Sequence, residues 1–139
     1  SLAAGVVASV SDAPPDGLGD SVATGLFGTI VSATGGEVRR SIREYDLAGL
    51  STNGQTTFAV SGRITANNAI GVGPRNFDIV LYDADGLAQA SDFEIPGSVL
   101  GSVTYEPPLE TLLDFDFDAT AAAQALVQAG ATHLGVRIE

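Results

Sequence analysis

The chain has 139 residues, of which 17 are acidic and only 6 are basic, so its formal net charge at neutral pH is -11. This balance excludes a nucleic-acid-binding protein, because nothing in the sequence could displace counterions from a phosphate backbone. The absence of cysteine excludes disulfides, zinc–thiolate sites, iron–sulfur clusters and thiol catalysis. With 45% hydrophobic and 17% charged residues, the composition predicts one globular domain with its own core.

The sequence contains no methionine, so we interpret Ser1 as a processed start. A small first residue followed by Leu-Ala-Ala is typical of the mature side of a signal-peptide cleavage site, which predicts a secreted protein at or outside the cell surface. A cytosolic fragment is the alternative. The longest uncharged stretches, 21–36 and 119–136, are interrupted by Gly, Thr, Ser or Gln, so neither predicts a membrane span.

The first twenty residues divide into a strand and a loop. Residues 2–10 form an uncharged run that is apolar on both faces, which predicts a strand buried on both sides. Residues 11–20 contain two prolines, two glycines and three aspartates, and this composition predicts a loop. We therefore treat 1–11 as an N-terminal strand and 12–139 as the body of the domain.

Alternating apolar residues predict the remaining strands at intervals of about ten residues, a spacing typical of a β-sandwich. Gly, Pro and Asn turns separate them, and residues 83–86 predict a plain hairpin turn. In the second segment below, Ile42 and Leu47 cannot share a face, so the strand is expected to end or bulge near Tyr45. The predicted strands are 26–33, 38–48, 57–66, 77–82, 87–93, 98–105, 113–117 and 132–138.

The segment Thr120–Ala129 is rich in Ala and Gln and is the only good helix candidate. Asp118 or Thr120 can accept hydrogen bonds from the free N–H groups at its start, and Gly130 can close its end. Spacings of four and three predict one buried helix face. Its members are Ala122, Leu126 and Ala129.

Three segments together resemble a known family. They are the Arg-rich segment 39–47, the segment 76–82 with its following turn, and the segment 117–138. They resemble the secreted bacterial jelly-roll domains called DNRLRE, which are related to carbohydrate-binding modules. Tyr45 stands where that pattern has Phe, and Val136 stands where it has an aromatic residue. The resemblance implies an all-β jelly-roll β-sandwich with one short helix before the last strand, and by analogy a surface-binding or adhesive role.

Acidic side chains give three candidate calcium sites, since calcium takes six to eight oxygen ligands from curled loops. The favoured site is the loop that carries Asp12, Asp16 and Asp20. One structural calcium ion bound there is the only cofactor that we predict. The turn with Asp83 and Asp85, near Asp92, lacks a full calcium-loop pattern. The strand face formed by Asp114, Asp116 and Asp118 cannot curl, so we expect a solvated acidic face there.

Catalysis is not predicted. The single His133 would need a positioned nucleophile and an orienting acid, and no Gly-x-Ser-x-Gly elbow supplies one. A domain of this size also leaves little room for a glycosidase cleft beside its core. Arg39, Arg40 and Arg43 are expected to pair with neighbouring acids such as Glu37, Glu44 or Asp46.

Two functions remain. The first is a structural subunit that self-assembles into homo-oligomers or filaments, with residues 2–10 completing a neighbour's sheet. Leu2, Val6 and Val10 would then enter the neighbour's apolar groove, although the same strand can equally be the first strand of its own sandwich. The second is a carbohydrate-binding or adhesive module with a surface glycan as partner, for which Tyr82 and Tyr105 are the candidate platform.

Overall fold

A computed structural model describes residues 2–24, 32–34, 36–65, 74–106 and 112–139, with the backbone alone for 32–34. Nine strands, a 3₁₀ helix Ala90–Phe93 and an α-helix, α1, Thr120–Gln128, make up this part of the chain. The strands are β1 Val6–Asp12, β2 Ser21–Thr24, β3 Ser32–Thr34, β4 Glu37–Asp46, β5 Ala59–Ile64, β6 Arg75–Ala84, β7 Gly97–Tyr105, β8 Leu113–Asp118 and β9 His133–Ile138.

The strands form two antiparallel sheets. The larger runs in the order β2-β1-β4-β9-β6-β7, with β3 paired to the first residues of β4, and the smaller consists of β5 and β8. Connections pass from one sheet to the other between β4 and β5, β5 and β6, β7 and β8, and β8 and β9, the last through α1. The prediction of an all-β sandwich with one short helix before the last strand is confirmed.

The first core lies between the two sheets. Strands β5 and β8 alternate strictly between half-buried and exposed residues, so their apolar faces turn towards the larger sheet and their acidic and polar faces towards solvent. Helix α1 closes one side of this core. The buried residues of this first core are Ile79, Leu81, Val103, Ala119, Ala123, Leu134 and Val136.

A second core lies on the opposite face of the larger sheet. There Ala8, Val10 and Ile42 contact Phe93 from the 3₁₀ helix. This helix belongs to residues 85–95, which we call the strap because they cross the outer face of the sheet between β6 and β7. The larger sheet is therefore apolar on both faces, which explains why its central strands do not show a simple alternation.

Several boundaries differ from those predicted. The first strand starts at Val6 and continues to Asp12, and it pairs with β2 and β4 of its own chain. The turn at 83–86 is not a hairpin turn, and the strand predicted at 87–93 does not form. Strand β6 continues to Ala84, and the strap with its 3₁₀ helix Ala90–Phe93 follows. Strand β4 does end near Tyr45, at Asp46. Most of the predicted strand 26–33 lies outside the described residues, and no helix in the described part is long and apolar enough to cross a membrane.

The helix is confirmed, but its buried face is centred differently. Asp118 accepts a hydrogen bond from the Thr120 backbone N–H at 2.9 Å, and Gly130, at φ 98°, follows the end of the helix. Ala123 is fully buried, and Ala122 and Leu126 pack against the core. Ala129 is exposed, because it lies at the last turn where the helix leaves the sheet.

We expect Leu126→Asp to lower the free energy of unfolding by about 3 kcal/mol, because it removes apolar contacts and places a carboxylate against the core. Ala125→Asp, which puts the same side chain on the exposed face of the same helix, is the matched control. Thermal and urea denaturation measure both. Equal melting temperatures for the two variants would show that the helix does not use this face.

Candidate functional site

The largest concentration of buried polar side chains lies under the strap. Glu44 on β4 and Tyr82 on β6 both face Gly135, which lies on β9 between them. The missing side chain makes room for the tyrosine, since a Cβ at Gly135 would lie 2.2 Å from the Tyr82 Cζ atom. The ring therefore crosses β9, and its hydroxyl donates to Glu44 Oε1 at 2.9 Å.

Glu44 connects the sheet to the strap. Its Oε2 accepts the Gly86 backbone N–H at 2.8 Å, so both carboxylate oxygens are used. Gly86 has a φ of 82°, which a glycine adopts without strain, and it lies against the His133 ring. Only 1% of Glu44 is exposed, and the carboxylate serves to fix where the strap begins.

Two arginines fix the other end of the strap. Arg137, 4% exposed, donates from one nitrogen to the carbonyl oxygens of Asp92 and Ile95, each at 2.9 Å. Arg40 donates to the Phe93 carbonyl and lies 4.0 Å above the centre of the Phe93 ring. Both guanidinium groups also form ion pairs with the Glu139 carboxylate, at 2.7 Å for Arg137 and 3.3 Å for Arg40.

The electrostatics of this cluster favour neutral acids. Burial raises the pKa of Glu44, and the nearby Asp92 adds to the effect, while the bonds from Tyr82 and Gly86 oppose it. Burial likewise raises the pKa of Asp92, against the hydrogen bond from the Gln89 N–H. The pKa of the Tyr82 hydroxyl is raised by burial and by the Glu44 carboxylate, so the phenol stays protonated.

The polar atoms of the cluster are occupied by hydrogen bonds within the protein. Among the described residues, every buried side-chain nitrogen and oxygen has a hydrogen-bond partner. A cavity of about 160 Å³ lies away from the cluster, between helix α1 and the turn that precedes β5. It is lined by Thr52, Asn53, Gly54, Phe58, Gln124, Val127 and Gln128.

The three aspartates of the predicted calcium loop bind backbone N–H groups of that loop. Asp12, 2% exposed, accepts from Asp16 at 3.0 and 3.1 Å and from Gly17 at 2.8 Å. Asp16 accepts from Leu18, and Asp20 accepts from Ala13. In the described part of the chain, no group of three His, Asp or Glu side chains is placed to hold a metal ion, and the calcium site stays a prediction.

The same loop also contacts the strap. Gly19 donates its N–H to Glu94 at 2.9 Å, and a Cβ at Gly19 would lie 1.8 Å from the Ala90 carbonyl oxygen. Glycine is therefore required at this contact, because any side chain would push the loop away from the strap. The loop, the strap and the outer face of the larger sheet thus form one packed unit.

The structure corrects the expected exposure of the two tyrosines. Tyr82 is 0% exposed and Tyr105 is 5% exposed, because each ring packs on a face of the larger sheet that is covered. A buried ring offers no face to a sugar, so neither forms the expected platform. The glycan-binding alternative thereby loses the side chains on which it depended.

The remaining candidate residues are the aspartates of β8, which form the solvated acidic face that was expected, and His133. Asp114, Asp116 and Asp118 line the exposed face of β8, with Arg63 binding Asp114. His133 Nδ1 is 3.0 Å from the Thr132 hydroxyl, and its Nε2 is 3.9 Å from Asp46.

The strand residues of the assembly hypothesis lie within their own chain. Val10 is fully buried in the second core and Val6 packs against it, whereas Leu2 is 41% exposed and precedes the strand. The Arg39–Glu37 ion pair forms, at 3.0 Å. Glu44, in contrast, is hydrogen-bonded by Tyr82 and Gly86.

Sequence reasoning missed the cluster itself. The available signal was Gly135, a glycine in the middle of an otherwise apolar predicted strand, which often marks close approach of another group. The strap gave no such signal, because 83–86 has the composition of a hairpin turn.

No family model matches the chain, and no curated protein matches it. The resemblance to the DNRLRE domains therefore stays a prediction, and the argument about function depends on the fold and its contacts.

We expect Glu44→Gln to remove part of the pH dependence of stability. The raised pKa of Glu44 means that its contribution is complete below its ordinary value of 4.5 and is lost as the pH rises through the folded-state pKa. The glutamine donates to Tyr82 and accepts from Gly86, and it never carries charge. The variant should therefore gain stability over the natural protein with rising pH, by about 1.4 kcal/mol for each unit of pKa shift.

Urea denaturation at a series of pH values measures this effect. Asp116→Asn, which removes one negative charge from the exposed face of β8, controls for the change in net charge. A stability difference between Glu44→Gln and the natural protein that does not change with pH would contradict the expectation.

We expect Asp12→Ala to lower the free energy of unfolding by about 1–2 kcal/mol, because it leaves two loop N–H groups without their acceptor. Thermal unfolding in excess chelator measures this structural effect. Repeating the scan with added calcium tests the metal prediction, which would be supported by a higher melting temperature of the natural protein that Asp16→Asn abolishes. An unchanged melting temperature in calcium would remove the site.

Proposed function

We propose that the protein is a non-enzymatic, secreted structural subunit that self-assembles at or outside the cell surface by pairing of β-strands. The observation that carries this proposal is the character of the two outermost strands of the larger sheet. Neither β2 nor β7 contains a charged residue, although the chain has a net charge of -11. Natural sheets commonly protect free edges with charges, so uncharged edges favour a partner strand.

The polar side chains of the protein support a structural role. The buried acids Glu44, Asp12 and Asp92 bind backbone N–H groups, and the buried Arg137 binds backbone carbonyls. In the described residues these groups are occupied in fixing loops on a sheet, which is the work expected of a stable module. Enzyme sites instead tend to expose their perturbed acids in a cleft.

Exchange of the N-terminal strand is one route to assembly. In the single chain, β1 pairs with β4 over seven residues and with β2 over four. Moving it to a neighbour would require the neighbour to offer the same contacts, in a swap hinged at residues 13–20. Burial of Val6 and Val10 contributes roughly 1.5–3 kcal/mol each in either arrangement, so exchange stays a prediction.

We expect the full chain to associate as its concentration rises. Association should strengthen with added salt, because salt screens the repulsion between copies that each have a large negative charge. Sedimentation velocity measures the oligomeric state, and electron microscopy shows whether the assemblies are filaments. A chain that sediments as a monomer at every concentration and salt level, with no particles by microscopy, would overturn the proposal.

The same material separates strand exchange from association of intact domains. If the fold of each copy depends on its neighbour's β1, the melting temperature rises with protein concentration and dilution unfolds the domain. If β1 serves its own chain, dilution releases folded monomers.

A further inference from the structure

The edge strand β7 combines length, exposure and lack of charge. It covers nine residues, Gly97–Tyr105, and among the described residues it is paired only with β6. Val99 is 58% exposed, and Ser102 and Thr104 are also exposed. Within the described ranges no strand pairs with the other side of β7, and Ser102 to Thr104 are the part of this edge that we consider for another strand.

The register within the sheet defines which part of this edge is regular. Ile79 is opposite Gly101 and Val80 is opposite Val99, so Leu100 is an extra residue that forms a bulge in β7. From Gly101 to Tyr105 the pairing with β6 is continuous. The centre of this regular part, Ser102 to Thr104, is the segment that a partner strand would pair with, and Pro107 in the sequence limits extension beyond the strand.

We propose that the regular half of β7 pairs with β7 of a second copy, antiparallel about a two-fold axis at Val103. This inference rests on the proposed self-assembly and names its partner and contact surface. In this register Val103 lies opposite Val103 of the partner subunit, and Ser102 lies opposite Thr104 of the partner subunit. An isologous pair of this kind requires one self-complementary surface, which an uncharged strand provides.

Charge favours a second copy at this edge over other surfaces of the molecule. The register places the two Glu106 side chains six residues apart along the strands, about 20 Å. This separation exceeds the Debye length of about 8 Å at physiological ionic strength, so their repulsion is screened. Asp78, the acid nearest to the edge on β6, accepts a hydrogen bond from Ser102 of its own chain.

Disulfide trapping tests the register, because the natural chain contains no cysteine. Directly opposite residues in an antiparallel pair have Cα atoms about 4.5–5.5 Å apart, within disulfide range, whereas diagonal neighbours are about 7–8 Å apart. Ser102→Cys combined with Thr104→Cys should give a covalent dimer on oxidation. Neither single variant should do so efficiently, since each cysteine then faces a serine or threonine.

A charge substitution tests the same contact without cross-linking. Thr104→Asp should weaken dimerisation by about tenfold, because every dimer contains the change twice at the paired strands. Thr65→Asp makes the same change at an exposed residue after β5 and should leave the dissociation constant unchanged. Circular dichroism and thermal unfolding confirm that both variants are folded, and analytical ultracentrifugation measures the dissociation constant.

The outcomes distinguish this inference from the proposed function. A covalent dimer in the double variant, with selective weakening by Thr104→Asp, supports pairing through β7. If the natural protein assembles but the double variant does not cross-link and the two aspartate variants behave alike, the β7 contact is wrong while self-assembly stands. If the natural protein is always a monomer, both fail.

Discussion

The contact between Glu44 and the first residues of the strap is the constraint on which the outer half of the molecule depends. A carboxylate that is 1% exposed accepts one hydrogen bond from a side chain of the sheet and one from the strap backbone. The strap then brings Phe93 over Ala8, Val10 and Ile42. Without that cover, the outer face of β1 and β4 would expose apolar residues, so a buried acid stabilises an apolar core indirectly.

The contact between Tyr82 and Glu44 depends on an aromatic ring that lies over a strand glycine, an arrangement found three times in the described residues. Tyr82 lies over Gly135, Phe115 over Gly62 and Phe117 over Gly101, and in each case a Cβ at the glycine would lie within 2.6 Å of a ring carbon. An aromatic ring that covers a strand glycine shields the backbone hydrogen bonds and restores packing at a position with no side chain. Two of these pairs lie in or beside the first core and one lies under the strap, so both faces of the larger sheet use the same solution.

The sequence predicted well the elements whose two faces differ in polarity. Strands β5 and β8 alternate between apolar and polar residues because one face is in water, and the solvated acidic face followed directly from this pattern. The helix was predicted within one residue, and Ala122 and Leu126 of its predicted face pack against the core. The fully buried Ala123 was missed, since a run of alanines has no large side chain to mark the centre of the buried side. Ala129, the third predicted member of the face, is exposed.

Elements buried on both faces were harder to predict. Glu44 is the clearest case, because an acid among arginines in a strand suggests an ion pair, and only the three-dimensional position of Tyr82 and Gly86 gives it other partners. The exposure of Tyr82 was misjudged for the same reason, because proximity to a strand end says nothing about the strap that crosses above it. Tyr105 is buried on the other face of the sheet, on the same side of β7 as Val103 of the first core. The strap could not be predicted, since its contacts join residues that are 40 or more positions apart in the sequence.

The cover on both faces of the larger sheet also bears on how the protein could meet a partner. The smaller sheet and α1 lie over one face, and the strap and the loop of residues 13–20 lie over the other. What the described part of the sheet leaves accessible is main chain at its outermost strands. Contacts through main chain require little of the side chains except that they carry no charge, and β7 meets this condition in a chain whose net charge is -11. In the assembly that we propose, the net charge of -11 disfavours contact between copies through acidic surfaces such as the exposed face of β8.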